Sequence, residues 1–314
     1  MNETSVRHRG RIAQTFIYLG KQLRMFIFQN DWKVLPMSAV ITGVVTFVVG
    51  ANLYYTQEGT VTGAFALVCA CIWNGFFNSI QSVCREREIV KREHRAGLHI
   101  SAYIAAQMIY QFLLCLVQTL ITLLVFRVAK VRIPVQGILT PWGVLDLGIT
   151  LLLVTFTADM LAMMVSCLVR STTTAMTVMP FLLIFQLVFS GVFFNLKGFA
   201  KKLEVLTISH WGADSLCSIG RYNEQPMVTL WNTVFKFKDV EIMGSKPLLE
   251  LIIKTEEEGY RDQFLLWSGT YNQNPEYAGT VENLLRCWGW LCGMLLVFVL
   301  VSILVLRAID KDKR

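Results

Sequence analysis

Residues 61–99 read VTGAFALVCACIWNGFFNSIQSVCREREIVKREHRAGLH. From Val61 to Val83 there is no charge, and from Arg85 to Arg95 there are eight charges in eleven positions. A helix that crosses a bilayer needs roughly 20 mostly apolar residues, and the first half of this stretch supplies them. The abrupt change to dense charge marks the edge of the hydrocarbon. The stretch therefore decides between a water-soluble core and a bilayer-spanning helix, in favour of the latter.

Working outward, five further runs have the same character. Val34–Tyr55, Ile100–Phe126 and Ala175–Leu196 carry no charge, Leu147–Val169 carries only Asp159, and Leu284–Leu306 carries only Arg286 near its start. Composition agrees: 54% of the 314 residues are hydrophobic and 16% are charged, against about 25% charged in soluble domains. The expected fold is an all-α integral membrane protein of six transmembrane helices. The first run is not a cleavable signal core, because it is too long and a basic segment of 33 residues precedes it.

Cysteine usage points away from a disulfide scaffold. Cys69, Cys71, Cys84, Cys115, Cys167 and Cys292 lie in or at the ends of apolar runs, where cysteine acts as a small hydrophobe. Cys217 and Cys287 flank the long segment before the last span, so a bridge between them is open but not expected. No Cys/His spacing suggests zinc, and no metal site is expected.

Lys and Arg in short loops set orientation. Residues 1–33 carry Arg7, Arg9, Arg11, Lys21, Arg24 and Lys33, and residues 85–98 carry Arg85, Arg87, Lys91, Arg92 and Arg95. Arg170, Arg307, Lys311, Lys313 and Arg314 fall on the same side of a six-span chain. The opposite short loops carry only Arg127, Lys130 and Arg132. Both termini are expected in the cytoplasm, and residues 197–283 outside. That outer segment holds nine basic against twelve acidic residues. The overall +7 is thus membrane sidedness beside an anionic inner leaflet, and no nucleic-acid partner is expected. The outer segment lacks an N-x-[ST] sequon, which favours a bacterial inner or plasma membrane.

Two cytoplasmic segments carry structure of their own. In residues 9–30, Ile12, Phe16, Leu19, Leu23, Phe26 and Ile27 recur on one helical face, with Arg11, Gln14, Lys21, Gln22 and Arg24 largely elsewhere. A basic amphipathic helix beside a span lies in the interface plane, either as an anchor or as a mechanical part. Between spans two and three, Glu88 and Arg92 form an i,i+4 pair, and Gly97 offers a helix stop. A short charged helix over 85–98 is expected. Its three acidic residues, Glu86, Glu88 and Glu93, are not needed for sidedness and suit a protein-docking surface better than a solvated loop.

Here a resemblance becomes specific. Glu86-Arg87-Glu88-Ile89-Val90-Lys91-Arg92-Glu93-His94-Arg95-Ala96-Gly97, followed by Ser101-Ala102-Tyr103, resembles the coupling-helix motif of G-subfamily ABC exporters. Leu168-Val169-Arg170-Ser171-Thr172, Ala175-Met176, Pro180 and Gln186 resemble that family's bend between spans four and five, and Phe189-Ser190-Gly191-Val192-Phe193 the end of span five. Ile208 to Asp214 is a looser match, and 221–280 fits poorly and reads as an added outer subdomain.

The resemblance implies a type-2 permease that works as a dimer with a second copy or a homologue, in a lipid bilayer. An ABC ATPase subunit would dock under each coupling helix. No G-x-x-x-x-G-K-[ST] loop occurs here, so this chain is expected to be no enzyme and to hold no cofactor. ATP and Mg would be bound by the partner ATPase. The implied organisation is a cytoplasmic N-terminus with connecting helix (1–33), spans one to five (34–196), an extracellular segment with re-entrant helices (197–283), span six (284–306) and a cytoplasmic tail (307–314).

Site expectations follow. Glu86, Arg87, Glu88, Arg92 and Glu93 would receive the push of the ATPase, with Glu86 pairing with Lys21 or Arg24. Trp73, Asn74, Phe77, Asn78 and Gln81 of span two, with Ile184 and Leu187 of span five, would line a cavity at the dimer axis. The competing reading of the amides is interhelical glue. Val192 and Phe193 take the positions of the family's outer plug. Asp159 and Gln186 are intramembrane polar groups. A carboxylate at Asp159 costs roughly 2.5–3.5 kcal/mol on insertion scales, so it should face protein, bonded to Thr155 or to a neighbouring span as a relay or a structural bond.

The implied function is outward transport of an amphipathic or lipid-like molecule, peptide or glycolipid by alternating access. A secondary transporter would call for related halves and coupling charges in the membrane, and neither is evident. A regulatory or sensory membrane subunit is the other alternative.

Overall fold

The computed structural model describes residues 10–28, 31–194, 196–241 and 245–308, with only the backbone of residue 31. Arg7, Arg9, Lys311, Lys313 and Arg314, counted above for sidedness, lie outside the described residues. Within them the chain forms thirteen α-helices and no β-strand. These are α1 (Arg11–Phe28), α2 (Val34–Val49), α3 (Gln57–Ser79), α4 (Ser82–Arg95), α5 (Ile100–Val128), α6 (Gly143–Leu168), α7 (Thr172–Val188), α8 (Phe199–Glu204), α9 (Ile208–Ile219), α10 (Thr229–Lys236), α11 (Pro247–Glu257), α12 (Arg261–Thr270) and α13 (Val281–Arg307).

Helix starts are written in side chains. Thr56, Ser171 and Thr280 stand at the N-caps of α3, α7 and α13, and each hydroxyl accepts from the backbone N–H three residues on. The start of α6 is held differently. The buried Asp146 carboxylate in its first turn accepts from the N–H groups of Ile138, Leu139 and Thr140 at 2.6, 2.9 and 3.1 Å. It thereby folds the preceding loop back onto the helix.

Of the six expected spans, four stretches are long and apolar enough to cross a bilayer: α3 continuing into α4, then α5, α6 and α13. Helices α2 and α7 are apolar but have 16 and 17 residues, about 24 and 26 Å at 1.5 Å per residue, short of a hydrocarbon core of about 30 Å. Each helix ends before its apolar run does. The α2 run passes through the turns that bury Leu53, and the α7 run passes through the turn at Gly191, whose φ is +76°.

Helix α6 is the hub, packed by α3, α13, α5 and α9. Its contact with α3 is backbone-close at Gly75, where an added Cβ would strike the Thr155 carbonyl and lie 2.8 Å from the Asp159 nitrogen. Helix α9 is buried along its whole length among α3, α6 and α13. At 12 residues, about 18 Å, it is too short to cross. Beyond it, α10–α12 form a cap tied to the start of α3. Glu58 accepts from the N–H groups of Val228 and Thr229 at 3.0 and 2.7 Å, and Gln57 donates to the Gly269 carbonyl at 3.0 Å. All eight cysteines, including Cys217 and Cys287, are free.

Candidate functional site

Helix α4 is built to be gripped on one side and exposed on the other. Arg85, Glu88, Ile89, Arg92 and Arg95 are exposed, while Glu86, Arg87 and Val90 are buried. The five expected coupling residues therefore divide. Glu88 and Arg92 stand on the outward face, Glu86 and Arg87 face inward, and Glu93 is half-buried between them.

The inward face meets α1 through polar groups at i, i+4 and i+7. Gln14 donates to the Gly97 carbonyl at 3.2 Å and accepts from the His99 N–H at 2.9 Å. The Tyr18 hydroxyl donates to Glu93. Lys21 Nζ lies 3.2 Å from Glu86 Oε1, and the Tyr103 hydroxyl donates to Glu86 Oε2 at 3.4 Å. Burial, with the Glu93 and Glu86 carboxylates adding to it, pushes the Tyr18 phenol above its ordinary value, so it stays a donor. Arg24, the alternative partner for Glu86, is exposed. The apolar stripe of α1 (Ile12, Phe16, Leu23 and Ile27) points away from the protein and is exposed, as a helix lying on a membrane requires.

The other end of α4 is bound to the end of α6. Ser166 Oγ accepts from the N–H groups of Val83 and Cys84 at 3.1 and 3.0 Å, capping α4 from a residue more than 80 positions away. Arg87 Nη1 donates to the carbonyls of Cys167 and Val169 at 2.8 and 3.1 Å, filling acceptors that the last turn of a helix leaves open. Displacement of α4 would thus be passed to α1 and to the bend between α6 and α7.

Above the N-terminus of α4 lies a cavity of about 310 Å3, lined by residues of α1, α2, α3, α4, α5 and α7. Of the expected cavity residues it takes Phe77, Asn78 and Gln81. Trp73, Ile184 and Leu187 lie instead on the exposed apolar surface, and Asn74 is buried but does not line it. Sequence reading missed Gln22, Gln107 and Gln111 of the lining; glutamines spaced four apart in an otherwise apolar run were the available signal.

Asn78 also acts as glue, exchanging amide hydrogen bonds with Gln118 at 2.9 and 3.0 Å. Asp159 is fully buried and bonded to neighbouring helices, by Ser79, by Cys115 at 3.4 Å and by Asn78 at 3.5 Å. Thr155 bonds the Leu151 carbonyl instead. Gln186, the other expected intramembrane polar group, caps α9: its Oε1 accepts from the N–H groups of Ile208 and Ser209 at 2.8 and 3.2 Å.

Val192 and Phe193 follow the Gly191 turn, and Phe193 packs edge-on against Phe65 with centroids 4.8 Å apart. The turn is backed by Glu204, whose carboxylate fills the place of a Gly191 side chain. Behind it, His210 stands between Glu204 (Nδ1 to Oε1, 3.3 Å) and Asp214 (Nε2 to Oδ2, 3.6 Å). The carboxylates approach opposite ring nitrogens and so do not converge on one point. Burial, with Glu276 and Glu204 adding to it, holds Asp214 well above its ordinary value, and burial lowers His210. Asp214 Oδ2, at 3.6 Å from the ring nitrogen, has no hydrogen-bond partner.

Compared with known proteins, residues 14–211 match the family model described as ABC-2 type transporter. The match runs from the α1 residue that clamps Gly97 to the second turn of α9. No curated protein matches the sequence.

Proposed function

The chain belongs to the ABC-2 type transporter family and is a membrane permease component of an ABC transporter; from that premise we propose that it exports its substrate, driven by a separate ATPase subunit docked on the exposed face of α4. The observation that carries this reading is the double attachment of α4. Glu86 and Glu93 bind α1 through Lys21 and Tyr18, and Arg87 binds the end of α6. A surface loop kept only for sidedness needs neither. Six crossings, with α2 and α7 completed by their flanking turns, put the termini and α4 in the cytoplasm and the segment between α7 and α13 outside.

On this reading ATP binding closes the partner and pushes α4, which carries α1 and the α6–α7 bend with it. The cavity then turns outward past the Val192–Phe193 turn. The exposed Trp73, Phe181, Ile184 and Leu187 would be covered by a second permease copy. The substrate is amphipathic, and ATP with Mg is handled by the partner. Permease-stimulated ATP hydrolysis and export, measured in Glu86→Ala and Glu93→Ala, test the reading. Both should fall, and normal stimulation with normal export in both variants would overturn it.

A further inference from the structure

The cavity above α4 has a composition that selects its ligand. Gln22, Gln81, Gln107 and Gln111 present four primary amides to it, and Phe77 and Tyr110 present rings. Gln22, Gln107 and Gln111 are 7%, 2% and 2% exposed, so these amides are not surface groups that happen to border a dent. At Gln111 and Gln107 part of the hydrogen-bonding capacity is unspent. Gln111 Oε1 has no partner, its amide nitrogen reaches the Asn78 carbonyl only at 3.4 Å, and the Gln107 nitrogen reaches the Tyr103 hydroxyl only at 3.3 Å. A buried polar atom without a partner costs about 1–3 kcal/mol, so the cavity is poised for a ligand that supplies donors and acceptors together.

Both charged residues that border the cavity already have partners: Glu86 is engaged by Lys21, and Arg85, of opposite sign, holds an interaction of its own. A cationic or anionic group entering would lose hydration without gaining a partner of opposite charge. A volume of about 310 Å3 is at the small end of ligand sites, about 300–1,000 Å3, and suits a head group rather than a whole lipid. Gln81 and Met176 also line an adjoining groove with Thr172, Thr173 and Thr177, so hydroxyl groups continue the polar track towards α7.

Resting on the permease reading, we propose that this cavity binds the neutral, polyhydroxylated head group of an amphipathic ligand. The amides bond its hydroxyls, and Phe77 and Tyr110 take the apolar face of a sugar ring. The site lies within one chain, against the Lys21–Glu86 pair, so an occupied cavity presses on the contact that holds α1 to α4.

The test uses the full chain in phosphatidylcholine nanodiscs without ATP, and a diazirine-bearing alkyl glucoside as probe, with labelled residues located by mass spectrometry. Labelling should fall on the α1 and α5 segments around Gln22, Gln107 and Gln111. Dodecyl maltoside should displace it, and dodecyltrimethylammonium or dodecyl sulfate should not. Gln111→Leu and Gln22→Leu, on separate helices, should each weaken labelling about tenfold, the loss of one good hydrogen bond. Labelling spread over the outward residues Leu113, Leu116 and Leu120, no effect of either substitution, or equal displacement by the charged amphiphiles would overturn the proposal. Since the assay needs no ATPase, its failure would leave the ATP-driven reading standing, and failure of ATPase stimulation would leave this binding result standing.

Discussion

Lys21 and Glu86, 65 positions apart in the chain, meet at 3.2 Å, and Glu86 is the buried partner, its side chain 6% exposed against 34% for Lys21. The pair joins α1, whose apolar stripe is exposed, to the inward face of α4. Lys21→Ala strands a buried carboxylate, and we expect a loss of about 1–3 kcal/mol in the stability of the α1–α4 contact. The double variant Lys21→Ala/Glu86→Ala should recover part of it, because no lone charge is left behind. Thermal unfolding of the four proteins of the cycle checks this, and additive losses would show that the pair does not couple.

Arg87 ties the other side of α4 to the Cys167 and Val169 carbonyls. Hydrogen bonds to a charged donor contribute about 1.5–3 kcal/mol. Arg87→Ala is expected to lower stability by that order and to uncouple ATPase turnover from transport, with Arg87→Lys intermediate because an ammonium lacks the planar fork. Unfolding and transport measured side by side separate the two effects.

At Gly75 the α3 and α6 backbones leave no room for a side chain. Gly75→Val must push the helices apart and disturb the Ser79–Asp159 bond one turn away, so the variant should be poorly expressed or unfold early. At Gly191 the limit is the positive φ, +76°, together with the Glu204 carboxylate. Gly191→Ala should cost about 1–2 kcal/mol and alter the outer turn. A Gly191→Ala protein with unchanged stability and transport would contradict the role given to that turn.

The Glu204–His210–Asp214 cluster predicts a pH dependence whose sign follows from its shifts. Asp214 is raised in the fold, so its contribution is complete below the ordinary carboxylate value and is lost as pH rises through its folded value. His210 is lowered, so its contribution is lost as pH falls below the ordinary imidazole value of about 6.5. Between the ordinary carboxylate and imidazole ranges the two slopes oppose each other. The carboxyl slope ends at the folded value of Asp214, and Glu204, also raised by burial, acts in the same direction. Asp214→Asn should therefore remove the fall in stability that accompanies rising pH up to the folded value of Asp214, while leaving the acid-side loss set by His210. Unfolding temperatures of the two proteins across the pH range decide it; parallel profiles would contradict the assignment.

The sequence was most readable where chemistry is local. The charge-free runs mark α3, α5, α6 and α13, and the charged stretch after Val83 marks α4, because a bilayer imposes length and apolarity on each helix separately. At α2 and α7 the apolar run outlasts the helix and continues through turns at Leu53 and Gly191. The site was less legible because its bonds are long-range. Nothing near Val83 announces that Ser166 caps it, and nothing near Gln186 announces that it caps α9. Gln14 and Lys21 were visible on the polar face of residues 9–30, but Tyr18 between them, and the face the three grip, became evident only once α4 and α5 were folded beside them.

The central claim is that the outward face of α4 is where a nucleotide-hydrolysing partner holds this chain. The direct measurement is to purify the tagged full-length chain from its native membranes in mild detergent and assay the eluate for ATP hydrolysis and subunit content. The same is done for Ile89→Asp, a change on the exposed face alone. The account predicts a co-purifying ATPase whose activity and amount drop sharply in Ile89→Asp while the permease itself stays folded. An eluate without ATPase, or a complex indifferent to the substitution, would contradict it.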